Sequence, residues 1–193
     1  MMTHPPAPRG YVAYPRSRAL HQLSRAPLVL WRMGFGALFG RVFMVIGTWG
    51  RKTGRPRYAM IDQIEIDGAL HAWSGHGPHS DWYRNLRADP RVTIQTAGET
   101  RSLRARRVSD ADELTYLLMR FRQTHPIRAR SYFGAYGLDA DPATIAAAAG
   151  DIYLIAFEPT DESTPPPLRA DLAGVWLLLL PLGVAWWISR RRS

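Results

Sequence analysis

Gly47-Thr48-Trp49-Gly50-Arg51-Lys52-Thr53-Gly54-Arg55-Pro56-Arg57 is the stretch on which the fold turns. It sets the cations Arg51, Lys52, Arg55 and Arg57 and the hydroxyl of Thr53 beside Gly50 and Gly54. An apolar, β-branched run at 42–46 leads in, and an alternating run leaves from Tyr58. Small residues let backbone N–H groups come close to a ligand, and Arg or Lys neutralises phosphate and carboxylate oxygens. The implied unit is strand, basic glycine loop, strand, which makes an anion cradle. Lys52 is the only lysine among 25 basic residues. An ammonium is a compact point charge and a guanidinium a planar fork, so the loop offers two oxygen geometries. Neither Gly-x-x-x-x-Gly-Lys-Ser/Thr nor Gly-x-Gly-x-x-Gly spacing is present. The competing reading of the same residues is a hairpin whose polar turn is simply basic.

Working outward, 193 residues predict one domain with appendages. An apolar fraction of 46% suffices for a packed core, and a net charge of +9 predicts attraction to polyanions: nucleic acid, anionic lipid or an acidic cofactor. The absence of cysteine excludes disulfides, thiolate catalysis and Cys-ligated metal. Residues 1–15, with four prolines, are expected to form a flexible arm. Apolar residues recur at helical spacing through 16–39 among Arg16, Arg18, Arg25 and Arg32. Such a segment either lies on an anionic membrane surface or packs over one end of a barrel. Arg32 and Arg41 interrupt the first apolar stretch, which argues against an export signal.

Six strands are expected, at 41–48, 58–66, 69–74, 91–96, 100–108 and 152–157. Asp67-Gly68 marks a tight hairpin, because a type I′ turn needs positive φ. Ser80 or Asp81 opens a short helix reaching Arg87. Ser109 with Asp112 resembles a capping box before a helix that places Leu114, Leu117, Leu118 and Phe121 on one face. Asp141-Pro142 begins an alanine-rich helix that Gly150 ends. The sum is a small antiparallel barrel with peripheral helices, α+β overall, spanning 16–159.

Beyond it the chemistry changes. A Pro-rich linker at 160–171 leads to a run at 172–188 that no charge interrupts, with Trp176, Trp186 and Trp187 near its ends and Arg190-Arg191-Arg192 after it. Seventeen residues of helix reach roughly 25 Å, at the short limit for the hydrocarbon core. Interfacial tryptophans and a basic stop fit a C-terminal hydrophobic helix at 172–193 that anchors the domain to membrane lipid. The expected location is a cytoplasmic domain tethered to the cell membrane.

Two motifs together carry a family resemblance: Gly50-Arg51-Lys52-Thr53-Gly54-Arg55-Pro56-Arg57, then Asp81-Trp82-Tyr83-Arg84-Asn85-Leu86-Arg87-Ala88-Asp89-Pro90-Arg91-Val92. Over about residues 20–158 the chain resembles the deazaflavin-dependent nitroreductases. The resemblance implies a split β-barrel that binds coenzyme F420 and passes hydride to a quinone, nitroaromatic or similar acceptor. It gives Arg51, Lys52, Thr53, Gly54 and Arg57 the coenzyme's phosphate and acidic tail. Met60, Ser74, Trp82 and Asn85 would lie along the ring and ribityl chain. A polyanionic coenzyme with a flat ring does need fixed cations and an apolar wall with a few polar groups. Tyr132 and Tyr136, at i and i+4, would share a helical face over the ring as substrate-binding residues; ordinary packing aromatics are the other reading. Against the family's pattern, Gly75 stands where some relatives carry lysine, and Asp62 replaces a frequent aromatic. The hydrophobic tail is likewise outside it.

No side chain is assigned a catalytic role beyond binding, because the coenzyme carries the reactivity. His76 and His79 have His-x-x-His spacing without a carboxylate-rich or Cys partner, so no metal site is assigned. Arg101, Arg104, Arg106 and Arg107 could form a phosphate-binding strand, making a nucleic-acid or anionic-lipid module the alternative from another class. The lack of interleaved aromatics argues against nucleic acid. The same barrel using FMN, or binding a cofactor without turnover, is the remaining alternative.

Overall fold

A computed structural model describes residues 10–11, 26–139 and 141–174. A helical segment opens it: α1 (Ala26–Leu30), a π-helical turn (Trp31–Phe35) and α2 (Gly36–Phe39), kinked at Gly34 where φ is 95°. Trp31 is buried, so this segment packs onto the protein. Strands β1 (Phe43–Trp49), β2 (Pro56–Asp62), β3 (Ile64–Ile66) and β4 (Ala69–Trp73) follow. After a short turn come α3 (Asp81–Ala88), β5 (Arg91–Gln95) and β6 (Thr100–Arg107), then α4 (Ala111–Thr124), α5 (Pro126–Tyr136), α6 (Pro142–Ala147) and β7 (Leu154–Pro159).

The strands make one antiparallel sheet of seven, not six, in the order β2-β1-β5-β6-β7-β4-β3. The difference lies in the stretch expected as a single strand at 58–66. Gln63 divides it, so that β2 pairs with β1 while β3 pairs with β4. These two strands, one residue apart in sequence, are the opposite edges of the sheet. The sheet must therefore curl until its edges meet at the Asp62–Gln63–Ile64 corner, yet no ladder joins β2 to β3 or β4 and the sheet stays open. Asp67 and Gly68 have φ of 50° and 78°, the paired positive values of the expected hairpin.

Two apolar clusters hold the curl. Met44, Ile46, Tyr83, Leu86, Ile94 and Ile155 fill the inside of the sheet under α3. Ile64, Leu114, Leu118, Phe121, Ile145 and Leu154 join the other part of the sheet to α4, α5 and α6. The expected apolar face of α4 is buried, but its cap is Asp110, whose Oδ1 accepts from the Glu113 N–H at 2.8 Å, rather than Ser109. A carboxylate three residues before a free N–H is the better acceptor for a helix's first turn.

Appendages touch the barrel where described. The Trp73 indole donates to Gly10 O at 3.1 Å. The stretch 164–168 is bonded to β2 and β5: Thr93 and Thr164 share a hydrogen bond, Gln95 exchanges two with Leu168, and Tyr58 donates to Pro166 O. Asp171 pairs with Arg32, and the Leu172 N–H donates to Arg32 O. The expected C-terminal anchor lies outside the described residues from 175 onward. Among the described residues no helix is long and apolar enough to cross a membrane.

Candidate functional site

The glycine loop between β1 and β2 is built by its own backbone. Gly50 N–H donates to Arg55 O at 2.9 Å, and Gly50 O accepts from the N–H groups of Thr53 and Gly54. A Cβ on Gly50 would stand 3.0 Å from Arg55 O and 3.1 Å from Arg57 Cγ, so the loop closes this tightly only on glycine. Gly54 takes φ of 64° to complete the turn. It faces open space and is not among the residues lining the cavity beside the loop.

Helix α3 locks this loop through one buried amide. Asn85, 5% exposed, donates from Nδ2 to Thr48 Oγ1 at 3.1 Å. Its Oδ1 accepts from Arg51 Nη1 at 2.9 Å and from Arg51 N at 3.3 Å. Thr48 in turn donates to Arg57 O, and Arg51 Nη2 reaches Asp81 at 3.0 Å. Arg51 and Asn85 thus spend their polar capacity on each other and on the scaffold. Lys52, Arg55 and Arg57 are exposed, and none of their side chains has a hydrogen-bond or ion-pair partner among the described residues.

A cavity of about 710 Å³ opens beside these cations. Arg51, Lys52, Thr53 and Arg57 line one end, with Met60, Trp82 and Asn85 along it and Tyr132 and Tyr136 on its wall. Nine of the eleven residues singled out from the sequence therefore share one space. Ser74 does not: fully buried, it donates to Gly77 O at 2.8 Å and bonds Ser80 Oγ at 2.7 Å, holding the 75–80 loop from behind. Sequence reasoning missed Trp73, Ser80 and Ala59 as wall residues. Trp73 stacks on Tyr136 with centroids 4.8 Å apart and 20° between planes. Alternation in β4 could have flagged it, since Trp73 occupies an inward position beside the strand's end.

At the far end, Tyr132 donates to Asp62 Oδ2. Burial, then this bond and the charge of Asp62, push the Tyr132 pKa far above the ordinary tyrosine value. Burial, reinforced by Asp62, pushes Tyr136 up to about 12. Both phenols are neutral donors at physiological pH. A Cβ on Gly75 would stand 3.0 Å from Tyr136 Oη, so the glycine gives that hydroxyl its place.

The other charged cluster is spent internally. Arg101 pairs with Glu99, Arg104 with Glu162, and Arg106 with both Glu113 and Glu158. Arg107 donates to the carbonyls of Gly150 and Ile152 and lies 4.1 Å over the Tyr153 ring. Neutralised cations release few counterions from a phosphate backbone, so this strand is a poor nucleic-acid surface.

The curled α+β sheet thus sets a cationic loop at the mouth of an aromatic-walled cavity. A family model described as F420H(2)-dependent quinone reductase matches residues 33–132, just over half of the chain, and the chain belongs to that family. It is an F420-dependent oxidoreductase. Solved structures are similar only distantly. One described as an F420-H2 dependent reductase (FDR-A) is 21% identical, covering 61% of this chain and 95% of its own, at a TM-score of 0.45. HutZ, the heme storage protein from Vibrio cholerae, is 14% identical over 71% of this chain and 91% of its own, also at 0.45. Likeness at that level carries no argument here.

The residues fit the coenzyme class. Ligand cavities of this kind enclose roughly 300–1,000 Å³, and the volume here falls inside that range. Cations without partners at one end and flat apolar walls beyond them match a carrier with an acidic tail and an aromatic head.

Proposed function

We propose that Lys52 and Arg57, with Arg51 held between Asn85 and Asp81, bind the anionic tail of F420. Met60 and Trp82 then flank its ring, and Tyr132 and Tyr136 bound the space left for the acceptor. The coenzyme supplies a hydride, and the acceptor is a quinone, nitroaromatic or similar organic molecule. The observation that carries this reading is the pair of exposed, partner-free cations at the mouth of the cavity, in a chain of this family. The protein's share is orientation and exclusion of water: Asn85 fixes the loop before the coenzyme arrives, and the two neutral phenols offer hydrogen-bond donation at the acceptor end. The curled, open sheet is read as a split barrel of the flavin-reductase kind, with the cavity along its exposed edge strand β2.

The domain is further proposed to occupy 16–159, with 172–193 tethering it to the cytoplasmic face of the membrane. An uncharged apolar run supports this. So does the position of Asp171, held against Arg32 in the same helical segment whose Leu28 lines the cavity. That arrangement would place the acceptor entrance near lipid.

Fluorescence titration with F420 and, separately, FMN tests the coenzyme assignment. F420 binding is expected to weaken at least tenfold in Lys52→Ala and in Arg57→Ala, with a shallower dependence on salt. Binding of FMN but not F420, or F420 binding indifferent to both substitutions, would overturn it.

A further inference from the structure

The long wall of the cavity is the edge strand β2, lined continuously from Arg57 to Asp62. By the rise of a strand these two residues stand roughly 16 Å apart. The charged side chains lining the cavity divide along that axis. Arg51, Lys52, Arg57 and Asp81 gather at the loop end; Asp62 stands at the tyrosine end.

Asp62 has no cationic partner among the described residues, and its one hydrogen bond comes from the neutral Tyr132 hydroxyl. Arg128 on α5 donates from its guanidinium to Gln63 O at 2.8 Å, makes no ion pair with Asp62, and lines a separate cavity of about 390 Å³; its charge offsets part of that of Asp62 at Tyr132. After burial, the charge of Asp62 adds to the upward pKa shift of both phenols, against a smaller lowering by Arg128 at Tyr132. A carboxylate that is half-buried, bonded to a single neutral donor and facing a cavity walled by aromatic rings is screened less than one in open solvent. A molecule bound there has the Asp62 carboxylate and the neutral Tyr136 hydroxyl beside it.

We infer that Asp62 is a charge filter for the acceptor. It admits neutral molecules, favours cationic ones and excludes anionic ones, so the preferred acceptors are electron-poor rings that carry a positive group or none. The cavity is then dipolar by construction. Its cationic end holds the acidic tail of the carrier, and its anionic end keeps that end from accepting a second polyanion. Discrimination acts on binding, and belongs in KM rather than kcat. The inference rests on the proposed placement of the coenzyme, which leaves the Asp62 end for the acceptor.

The test uses the full chain and three naphthoquinones matched in reduction potential: one bearing a sulfonate, one uncharged and one bearing a trimethylammonium group. Two readouts are taken: steady-state kcat/KM with reduced F420, and quenching of tryptophan fluorescence by the oxidised quinones without coenzyme, the latter in chains that also carry Lys52→Ala and Arg57→Ala so that the empty cationic end does not draw in the sulfonate. Trp73 and Trp82 line the cavity and serve as reporters. With Asp62 in place the cationic quinone is expected to exceed the anionic one at least tenfold in both readouts, the kinetic difference being carried by KM. Asp62→Asn keeps an oxygen acceptor for Tyr132 and removes the charge; the ratio is expected to collapse to within twofold of unity. Using a ratio cancels any general loss of activity. Tyr132→Phe keeps the carboxylate and is expected to retain the ratio, which separates charge from the hydrogen bond. An unchanged ratio in Asp62→Asn, or its loss in Tyr132→Phe alone, overturns the filter. Failure of the coenzyme assignment would appear instead as absent F420 binding by the wild type, and the quenching titration still decides the filter.

Discussion

Asn85→Ala is the substitution that most directly tests how the site is held. The change removes two short bonds, to Thr48 Oγ1 at 3.1 Å and Arg51 Nη1 at 2.9 Å, and a longer one from Arg51 N at 3.3 Å. A neutral hydrogen bond contributes about 1 kcal/mol net, and one to a charged group about 1.5–3 kcal/mol. Setting the long bond aside, the loss is about 3 kcal/mol, corresponding to a fall in Tm of roughly 6–12 °C for a domain of this size. The remaining Arg51–Asp81 pair cannot compensate, because the Asp81 side chain is 65% exposed and exposed pairs contribute little. Urea and thermal denaturation measure the stability, and F420 titration measures the site. Arg51→Ala and the double variant complete a cycle. If Asn85 acts by holding Arg51 and the loop, the two losses in F420 affinity overlap, with a coupling of about 1 kcal/mol or more. A Tm within 2 °C of the wild type, together with strictly additive effects on affinity, would refute this account and make Asn85 an independent contact to the coenzyme.

Two further outcomes follow from the same geometry. Burial raises the Tyr136 pKa to about 12, above that of an unfolded tyrosine near 10; its contribution to stability is therefore complete below pH 10 and lost as pH rises toward 12. Denaturant melts from pH 8 to 12 are expected to fall more steeply for the wild type than for Tyr136→Phe, and equal slopes would contradict the assignment. Removing residues 175–193, which leaves the Arg32–Asp171 pair and the Leu172 bond in place, is expected to spare turnover of a water-soluble acceptor while slowing reduction of quinone embedded in vesicles. Equal rates on both would reject the tethered arrangement.

Much of this protein was legible one residue at a time. The glycine loop announced itself because closing a short turn around cations needs a position with no room for a side chain, as the crowding at Gly50 shows. Hairpin chemistry at Asp67-Gly68 and the apolar face of α4 are equally local, written in φ preference and in the 3.6-residue period. The arginines of β6 were visible too, but not their fate. Charge is read from sequence, whereas its neutralisation by Glu113, Glu158 and Glu162 depends on partners brought in from elsewhere.

Asn85 and Ser74 show where such reading stops. A motif marks both as polar residues worth keeping, yet cannot say whether the polar atoms face a ligand or the scaffold. Packing answers that: Ser74 is turned into the 75–80 loop, and Asn85 is bonded to both sides of the basic turn. The break at Gln63 was hidden for a related reason. Met60, Ile64 and Ile66 keep one face with a single break at Asp62, too little to mark a strand end, and pairing with β1 on one side and β4 on the other divides the strand.

The sequence by itself determined the chemistry on offer: a lone lysine among arginines, glycines at the turn, tyrosines at helical spacing and an aspartate within an apolar strand. Tertiary structure decided which of those groups remain free. Curling the sheet brings β2 and α5 to one cavity, spends Arg51 and Asn85 on rigidity, and leaves Lys52 and Arg57 at one end and Asp62 at the other. The reason is physical: local propensity depends on neighbours in the chain, but the potential inside a cavity depends on every charge that folding pairs or leaves unpaired.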